Sequence, residues 1–138
     1  MHYSERARMP LYHFVLKTGD DLIPDRNGGE WPTEAAAREE AALVAQELMR
    51  NQRGVKRRAW RIEIRDENLR PCFELLFAEV DETISHLPPE LRETHIVASR
   101  RMAACFDTVR ALHETRAKLA ETLSRANTAV AAFARKLR

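Results

Sequence analysis

The feature that most constrains this sequence is its last third, which contains neither glycine nor proline from Glu90 to Arg138. Alanine, leucine, arginine and glutamate dominate this stretch, and all four are strong helix formers. One helix over these residues would be roughly 74 Å long, at about 1.5 Å per residue. The sequence therefore predicts a long helical region over residues 90–138.

Apolar residues in this region recur at alternating steps of three and four, which is the heptad pattern of packed helices. With Val109 at position a, the a positions are Met102, Val109, Arg116, Leu123, Val130 and Leu137, and the d positions are Ala98, Cys105, Leu112, Leu119, Ala126 and Phe133. Arg116 is the break in the pattern. The e and g positions are mostly small or apolar, so the stripe is wide and favours a three- or four-helix assembly.

Such a stripe needs a cover, and the preceding sequence can form a domain only about 25–30 Å across. We therefore expect a homo-oligomer, a dimer or higher, assembled through these helices. The predicted interface consists of Met102, Cys105, Val109, Leu112, Leu119, Leu123, Val130, Phe133 and Leu137. The alternative is a helical hairpin that folds back at Ser124–Thr128, where helix propensity dips.

Residues 9–77 have the pattern of a small α+β domain. Leu11–Leu16 is rich in β-formers, a turn over Lys17–Asp21 follows, and Leu22-Ile23 predicts a short return strand that Pro24 ends or confines to an edge. The sequence Asp25–Gly29 predicts a turn. A helix should begin after the N-cap Thr33 and end near Gly54; its predicted inner face is Ala37, Ala41, Val44, Ala45 and Leu48.

A hairpin should follow this helix. Trp60, Ile62 and Ile64 alternate with three charged residues, which predicts a half-buried strand. Leu69–Phe77 is its expected partner, with Pro71 at an edge or bulge. The predicted order is β-β-α-β-β, followed by the helical region. The predicted parts are an N-terminal extension (1–8), the α+β domain (9–77), a connector with one short amphipathic helix (78–89) and the helical oligomerisation region (90–138).

The residues that catalysis requires are poorly grouped. The five histidines and two cysteines lack the close spacings of metal ligands. Neither Cys72 nor Cys105 has a glycine-rich turn nearby to form an oxyanion hole, and the four glycines cannot form a phosphate-binding loop. We therefore expect no enzymatic activity, no metal and no cofactor.

A basic segment with an aromatic residue suggests a second kind of function. Arg50, Arg53, Lys56, Arg57, Arg58, Arg61 and Arg65 surround Trp60. Such residues can bind phosphates and stack a base. The opposing interpretation is a solvated loop with Trp60 turned to the core. The net charge of +2 is too small to argue for nucleic acid by itself.

No apolar run approaches the roughly 20 residues of a membrane span, and no apolar core of a secretory signal follows the first residues. Two cysteines far apart do not form a disulfide scaffold. We therefore expect a cytoplasmic protein.

Residues 9–77 resemble a bacterial, mainly alphaproteobacterial, family of small uncharacterised domains. The segments MPLYHF, GDDLIPDRNGGEWPTEAAAREEA and WRIEIRDEN carry the resemblance. The positions that match are Met9, Pro10, Tyr12, Phe14, Gly19, Ile23, Asp25, Gly28, Pro32, Ala36 and Asp66. The resemblance implies a start near Met9 and no established activity. The hairpin-and-helix pattern is also similar, at the level of the fold, to HicB-type antitoxins.

These observations predict a non-catalytic interaction or regulatory protein. It self-associates through its C-terminal helices and presents a small sheet domain to a macromolecular partner. The alternative is a nucleic-acid-binding or antitoxin-like regulator that uses the basic segment Arg50–Arg65.

Overall fold

The fold is that of a computed structural model, which describes residues 9–19, 21–25, 27–51 and 55–137. The side chains of Val55 and Lys56 are outside the described part. The predicted extension 1–8, the helix stop at Gly54 and the candidate Arg53 also lie outside the described residues.

The chain forms an antiparallel sheet, one helix that packs on it, and a long last helix, as predicted for an α+β protein. The elements are β1 (Leu11–Lys17), β2 (Leu22–Pro24), β3 (Gly29–Glu30), α1 (Glu34–Asn51), a 3-10 helix (Val55–Ala59), β4 (Arg61–Arg65), β5 (Pro71–Leu76), a second 3-10 helix (Phe77–Val80) and α2 (Pro89–Lys136). The strand order is β2-β1-β4-β5, and β3 also pairs with β1.

Two local predictions are corrected here. Gly29 was expected in a turn, but it pairs with Tyr12 and starts the short strand β3. Gly28 supplies the positive φ of 68° that brings the chain back towards β1. In the connector, the second 3-10 helix ends at Val80 and turns follow it. The short amphipathic helix that the sequence predicted for the connector is therefore not formed over Val80–Leu87.

Helix α1 forms as expected. The Thr33 hydroxyl accepts a hydrogen bond from the Ala36 amide at 3.1 Å, which caps the helix. The small residues Ala37, Ala41 and Ala45 are completely buried, so the helix backbone lies close to the sheet.

The sheet face under α1 is the hydrophobic core. Phe14 faces Ile64 across β1 and β4, and Ile64 faces Phe73 across β4 and β5. The Trp31 ring stacks on Phe14 with centroids 5.0 Å apart, and covers this face near the sheet edge. Pro71 begins the edge strand β5, beside an irregularity in the pairing of β5 with β4. This placement was predicted because proline has no backbone N–H to donate to a neighbouring strand.

The prediction of a half-buried strand at β4 is wrong in one respect. The alternation of its side chains is as predicted, but Arg61 and Glu63 on the polar face are only 6% and 7% exposed. The guanidinium of Arg61 donates to the carbonyl of Ala103, at 3.3 Å. A residue distant in sequence therefore covers this face, which alternation alone could not show.

The chain divides into two compact units, Met1–Ala104 and Cys105–Arg138. The boundary falls within α2, so the first part of this helix belongs to the unit that contains the sheet.

Candidate self-association surface

The predicted apolar stripe lies on α2, which is one helix throughout the region. The possible break at Ser124–Thr128 is spanned by helical backbone, and the Thr128 hydroxyl donates to the Ser124 carbonyl at 3.0 Å. The structure therefore contains one long helix and not the helical hairpin.

The apolar side chains of the stripe are open to solvent in the single chain. Their exposed fractions run from 40% for Met102 to 72% for Leu137. The members are Met102, Val109, Leu112, Leu119, Leu123, Val130, Phe133 and Leu137, together with the exposed Cys105. We call these nine residues the apolar stripe. Contiguous apolar surface of this kind usually marks a binding site.

Ion pairs within the helix lie at other heptad positions. Glu121 pairs with Arg125 four residues later, and Asp107 pairs with Arg110 at 3.1 Å. These residues occupy positions b, c and f, which point away from an a/d seam. From Met102 to Leu137 the a and d positions are apolar except at Arg116.

Among the predicted nucleic-acid-binding residues, the arginines with described side chains contact other parts of the same chain. Arg57 donates to the Leu48 carbonyl at 2.7 Å, and its guanidinium lies 4.6 Å from the centroid of the Trp60 ring. Trp60 itself packs against the core, edge-on to Phe77. Arg57 therefore joins the end of α1 to the start of β4.

Arg58 has a similar linking role. Its guanidinium contacts Asp81 at 2.6 Å, the Thr83 hydroxyl at 3.1 Å and the His95 ring at 3.4 Å. Burial opposes the ionisation of Asp81, but hydrogen bonds from Thr83 and Arg58 outweigh it and hold the pKa of Asp81 below its usual range. The pair therefore fixes the connector to the sheet domain and to α2.

Three further members of the basic segment whose side chains are described also have partners. Arg50 pairs with Glu82 at 2.6 Å, and Arg61 and Arg65 pair with glutamates of the sheet. Binding of phosphate would have to compete with these contacts at each described arginine side chain of the segment. The nucleic-acid alternative stays a prediction, to which the geometry adds no support.

Sequence reasoning missed a charged cluster on the second face of the sheet, made of Lys17, Arg61, Glu63, Arg65 and Glu74. Lys17 bridges the two glutamates, with its ammonium 2.7 Å from Glu63 and 3.0 Å from Glu74. Arg65 contacts the other oxygen of Glu63 at 2.5 Å, and Arg61 contacts Glu74 at 3.3 Å. The cluster was missed because Lys17 was assigned to the turn, whereas β1 extends through it and pairs it with Arg61.

The cluster favours the charged forms of its members. Burial opposes the ionisation of Glu63, but hydrogen bonds from Lys17 and Arg65 outweigh it and lower the pKa of Glu63. Burial likewise opposes the charge of Lys17, but Glu63 and Glu74 raise its pKa. These charges therefore stabilise one another, as structural ion pairs do.

Other kinds of site find no counterpart in the described residues. Across residues 9–19, 21–25, 27–51 and 55–137, no group of three or more His, Cys, Asp or Glu side chains could hold a metal ion. Within the same part of the chain, no helix is both long and apolar enough to cross a membrane.

Comparison with known families identifies the first part of the chain. The family described as "Domain of unknown function (DUF6894)" matches residues 11–78. Residues 11–78, which we call the DUF6894 segment, are similar to this family and make up just under half of the chain. The predicted resemblance to a family of small uncharacterised domains is confirmed, while the bacterial origin and the likeness to HicB-type antitoxins stay predictions. No curated protein and no solved structure matches the chain.

The DUF6894 segment and the apolar stripe are different parts of the chain. The segment contains the sheet, α1 and the whole charged cluster, and the stripe begins beyond it at Met102. The apolar stripe therefore lies outside the segment that the family model matches.

Proposed function

We propose that this protein is a non-catalytic interaction or regulatory protein that self-associates through its apolar stripe. Each copy would then present its DUF6894 segment to a macromolecular partner. The observation that carries the proposal is a set of large apolar side chains, in heptad order, that are 40% to 72% exposed in the single chain.

The magnitude of this apolar surface is sufficient for association. Complete burial of a large apolar side chain contributes roughly 1.5–3 kcal/mol, so a side chain already half-buried gains about 1 kcal/mol. The stripe would contribute on the order of 8 kcal/mol from each of two chains. Association costs roughly 4–15 kcal/mol before side-chain ordering, so the apolar gain of a pair of stripes is comparable to this cost and supports the proposal.

The thiol chemistry favours a binding role over nucleophilic catalysis. Desolvation raises the pKa of Cys72, and the negative charges of Asp66 and Glu34 raise it further. A nucleophilic cysteine needs the opposite shift, because the thiolate is the reactive form. Cys72 and Cys105 are both free thiols, which supports our proposal of a cytoplasmic location.

The sheet domain offers a surface to a partner at its β2 edge. Leu22 and Ile23 of this short strand are 44% and 51% exposed. Edge strands carry backbone groups that can pair with a strand of another molecule. This edge supports the part of the proposal that gives the DUF6894 segment a macromolecular partner.

The test replaces two leucines of the stripe by aspartate. Sedimentation equilibrium of the wild-type chain should show an oligomer that dissociates on dilution. The double variant Leu112→Asp, Leu119→Asp should be monomeric, because assembly would bury unpaired charges.

A matched control has the same change in charge on the same helix. The double variant Ala111→Asp, Ala117→Asp places both aspartates at positions c and b, away from the seam, and should assemble like the wild type. A wild-type chain that stays monomeric at the highest concentration would refute self-association. An oligomer that survives the leucine substitutions would show that another surface holds it together.

A further inference from the structure

We propose that the occupant of the apolar stripe is a second copy of this chain in antiparallel orientation, with its two-fold axis at Glu121. Cys105 of each copy then faces Leu137 of the other. This inference rests on the proposed self-association and adds its direction and register.

The first argument is the length of helix that is free to pair. Ser99 and Ala103 are only 8% and 2% exposed within the unit that contains the sheet. From Cys105 onward the stripe residues are open, and the helix ends at Lys136. When residue 105 of one copy faces residue 137 of the other, each stripe residue from Cys105 to Leu137 faces another member of the stripe.

The second argument is the heptad pattern itself. Reversing one helix brings the a positions of one copy opposite the d positions of the other, so allowed registers differ by whole heptads. Residue 105 is a d position and residue 137 is an a position. The register of complete overlap is therefore one that the heptad allows. A shift by one heptad in one direction places Leu137 against Ala98, beside the buried Ser99.

The third argument is the position of Arg116, the charged residue among the a and d positions from Met102 to Leu137. Parallel pairing in register would put Arg116 against its own copy, and like charges repel. In the proposed register Arg116 faces Ala126, whose small side chain leaves room for the arginine stem to reach water. Shifting the register by a heptad would place it against Leu119 or Phe133 instead. The overlap of the two stripes and the position of Arg116 opposite Ala126 therefore favour the same register.

The remaining layers of this register are apolar on both sides. Leu119 faces Leu123 next to the axis, and further out Leu112 faces Val130. The small Val109 faces the large Phe133, so large and small side chains alternate across the seam as close packing requires. The e and g positions are mostly small or apolar, so the stripe is wide enough for two such pairs to pack together. The oligomer should then contain an even number of chains.

Disulfide cross-linking tests the orientation with the chain's own thiol. All variants carry Cys72→Ser, so that Cys105 is the one remaining native cysteine. Adding Leu137→Cys should give a covalent dimer on mild oxidation. A disulfide needs a Cα–Cα distance of about 4.4–6.8 Å, and we expect residues that face each other across the seam to lie within it. The two residues are about 48 Å apart along a single helix, so the bond must join two chains.

Two controls carry the opposite expectation. The variant with Cys105 alone, and the variant with Cys105 and Leu112→Cys, should give little covalent dimer, since neither pair of thiols meets in the antiparallel register. Either of them would cross-link efficiently in a parallel pair, because each d position then faces its own copy. Adding both Leu112→Cys and Val130→Cys should restore the covalent dimer.

The possible failures are distinguishable. A wild-type chain that stays monomeric in sedimentation equilibrium would refute both the proposed function and this inference. An oligomer that cross-links through Cys105 alone would refute the antiparallel orientation but leave self-association standing. An odd-numbered oligomer, or an antiparallel one in which Cys105 joins Val130→Cys but not Leu137→Cys, would overturn the register.

Discussion

Replacing Glu63 by glutamine is the sharpest test of what the charged cluster contributes to the sheet domain. Glu63 is 7% exposed, and each of its carboxylate oxygens faces a cation, Lys17 at 2.7 Å and Arg65 at 2.5 Å. Hydrogen bonds to charged groups contribute about 1.5–3 kcal/mol each. Glutamine keeps the shape and one acceptor oxygen, so we expect Glu63→Gln to lower the free energy of unfolding by roughly 1–3 kcal/mol at pH 7.

The stabilising effect of Glu63 should depend on pH, and the direction of its pKa shift determines how. The pKa of Glu63 is lowered in the folded protein, so its stabilising effect is complete above the usual carboxyl pKa of about 4.3. This effect is lost as the pH falls through the folded pKa, because the protonated acid no longer attracts Lys17 and Arg65. The wild type and the variant should therefore begin to converge in stability as the pH falls below about 4.3, and should become equal only below the lowered pKa of the folded protein.

Urea unfolding at a series of pH values measures both quantities. The control is Glu67→Gln, which removes the same charge from an exposed turn residue and should change stability by less than about 0.5 kcal/mol. A Glu63→Gln protein as stable as the wild type at pH 7 would refute the stabilising role of the cluster. A difference that persists unchanged at pH 2 would show that it comes from packing and not from charge.

Two further substitutions test the local geometry of the sheet domain. Gly28→Ala should lower the free energy of unfolding by about 1–3 kcal/mol, because φ is +68° and a Cβ would lie 2.8 Å from the His13 ring; equal urea midpoints for the two proteins would contradict this. Thr33→Ala should cost about 1 kcal/mol through loss of the helix cap, and Thr33→Ser should recover most of it; a serine variant no more stable than the alanine variant would argue against the cap.

The features that the sequence predicted well are those fixed by local pattern. The cap at Thr33 and the alternation around Ile62 need only neighbouring residues to be recognised, and both are found in the structure. The long helix was predicted over 90–138 and is observed over Pro89–Lys136, because no residue in that stretch opposes helix formation.

The features that were missed depend on contacts between distant residues. The polar face of β4 is buried because Ala103 lies against Arg61, forty-two positions away in sequence. The charged cluster depends on cross-strand pairing of Lys17, at the end of β1, with β4. Residue type and spacing carry no record of such neighbours. The contacts of Arg57 with the Leu48 carbonyl and of Arg58 with Asp81 could not be predicted for the same reason, while phosphate binding by the basic segment stays a prediction.

The hydrogen bond from Arg61 to the Ala103 carbonyl has a practical consequence for work on the family. A protein ending at residue 78 would keep the whole matched segment but remove the acceptor of this buried guanidinium, so the smallest piece that folds well should continue to about Ala104. Under the proposed self-association, lengthening or shortening α2 beyond that residue by whole heptads should change the oligomer but leave the stability of the sheet domain unchanged.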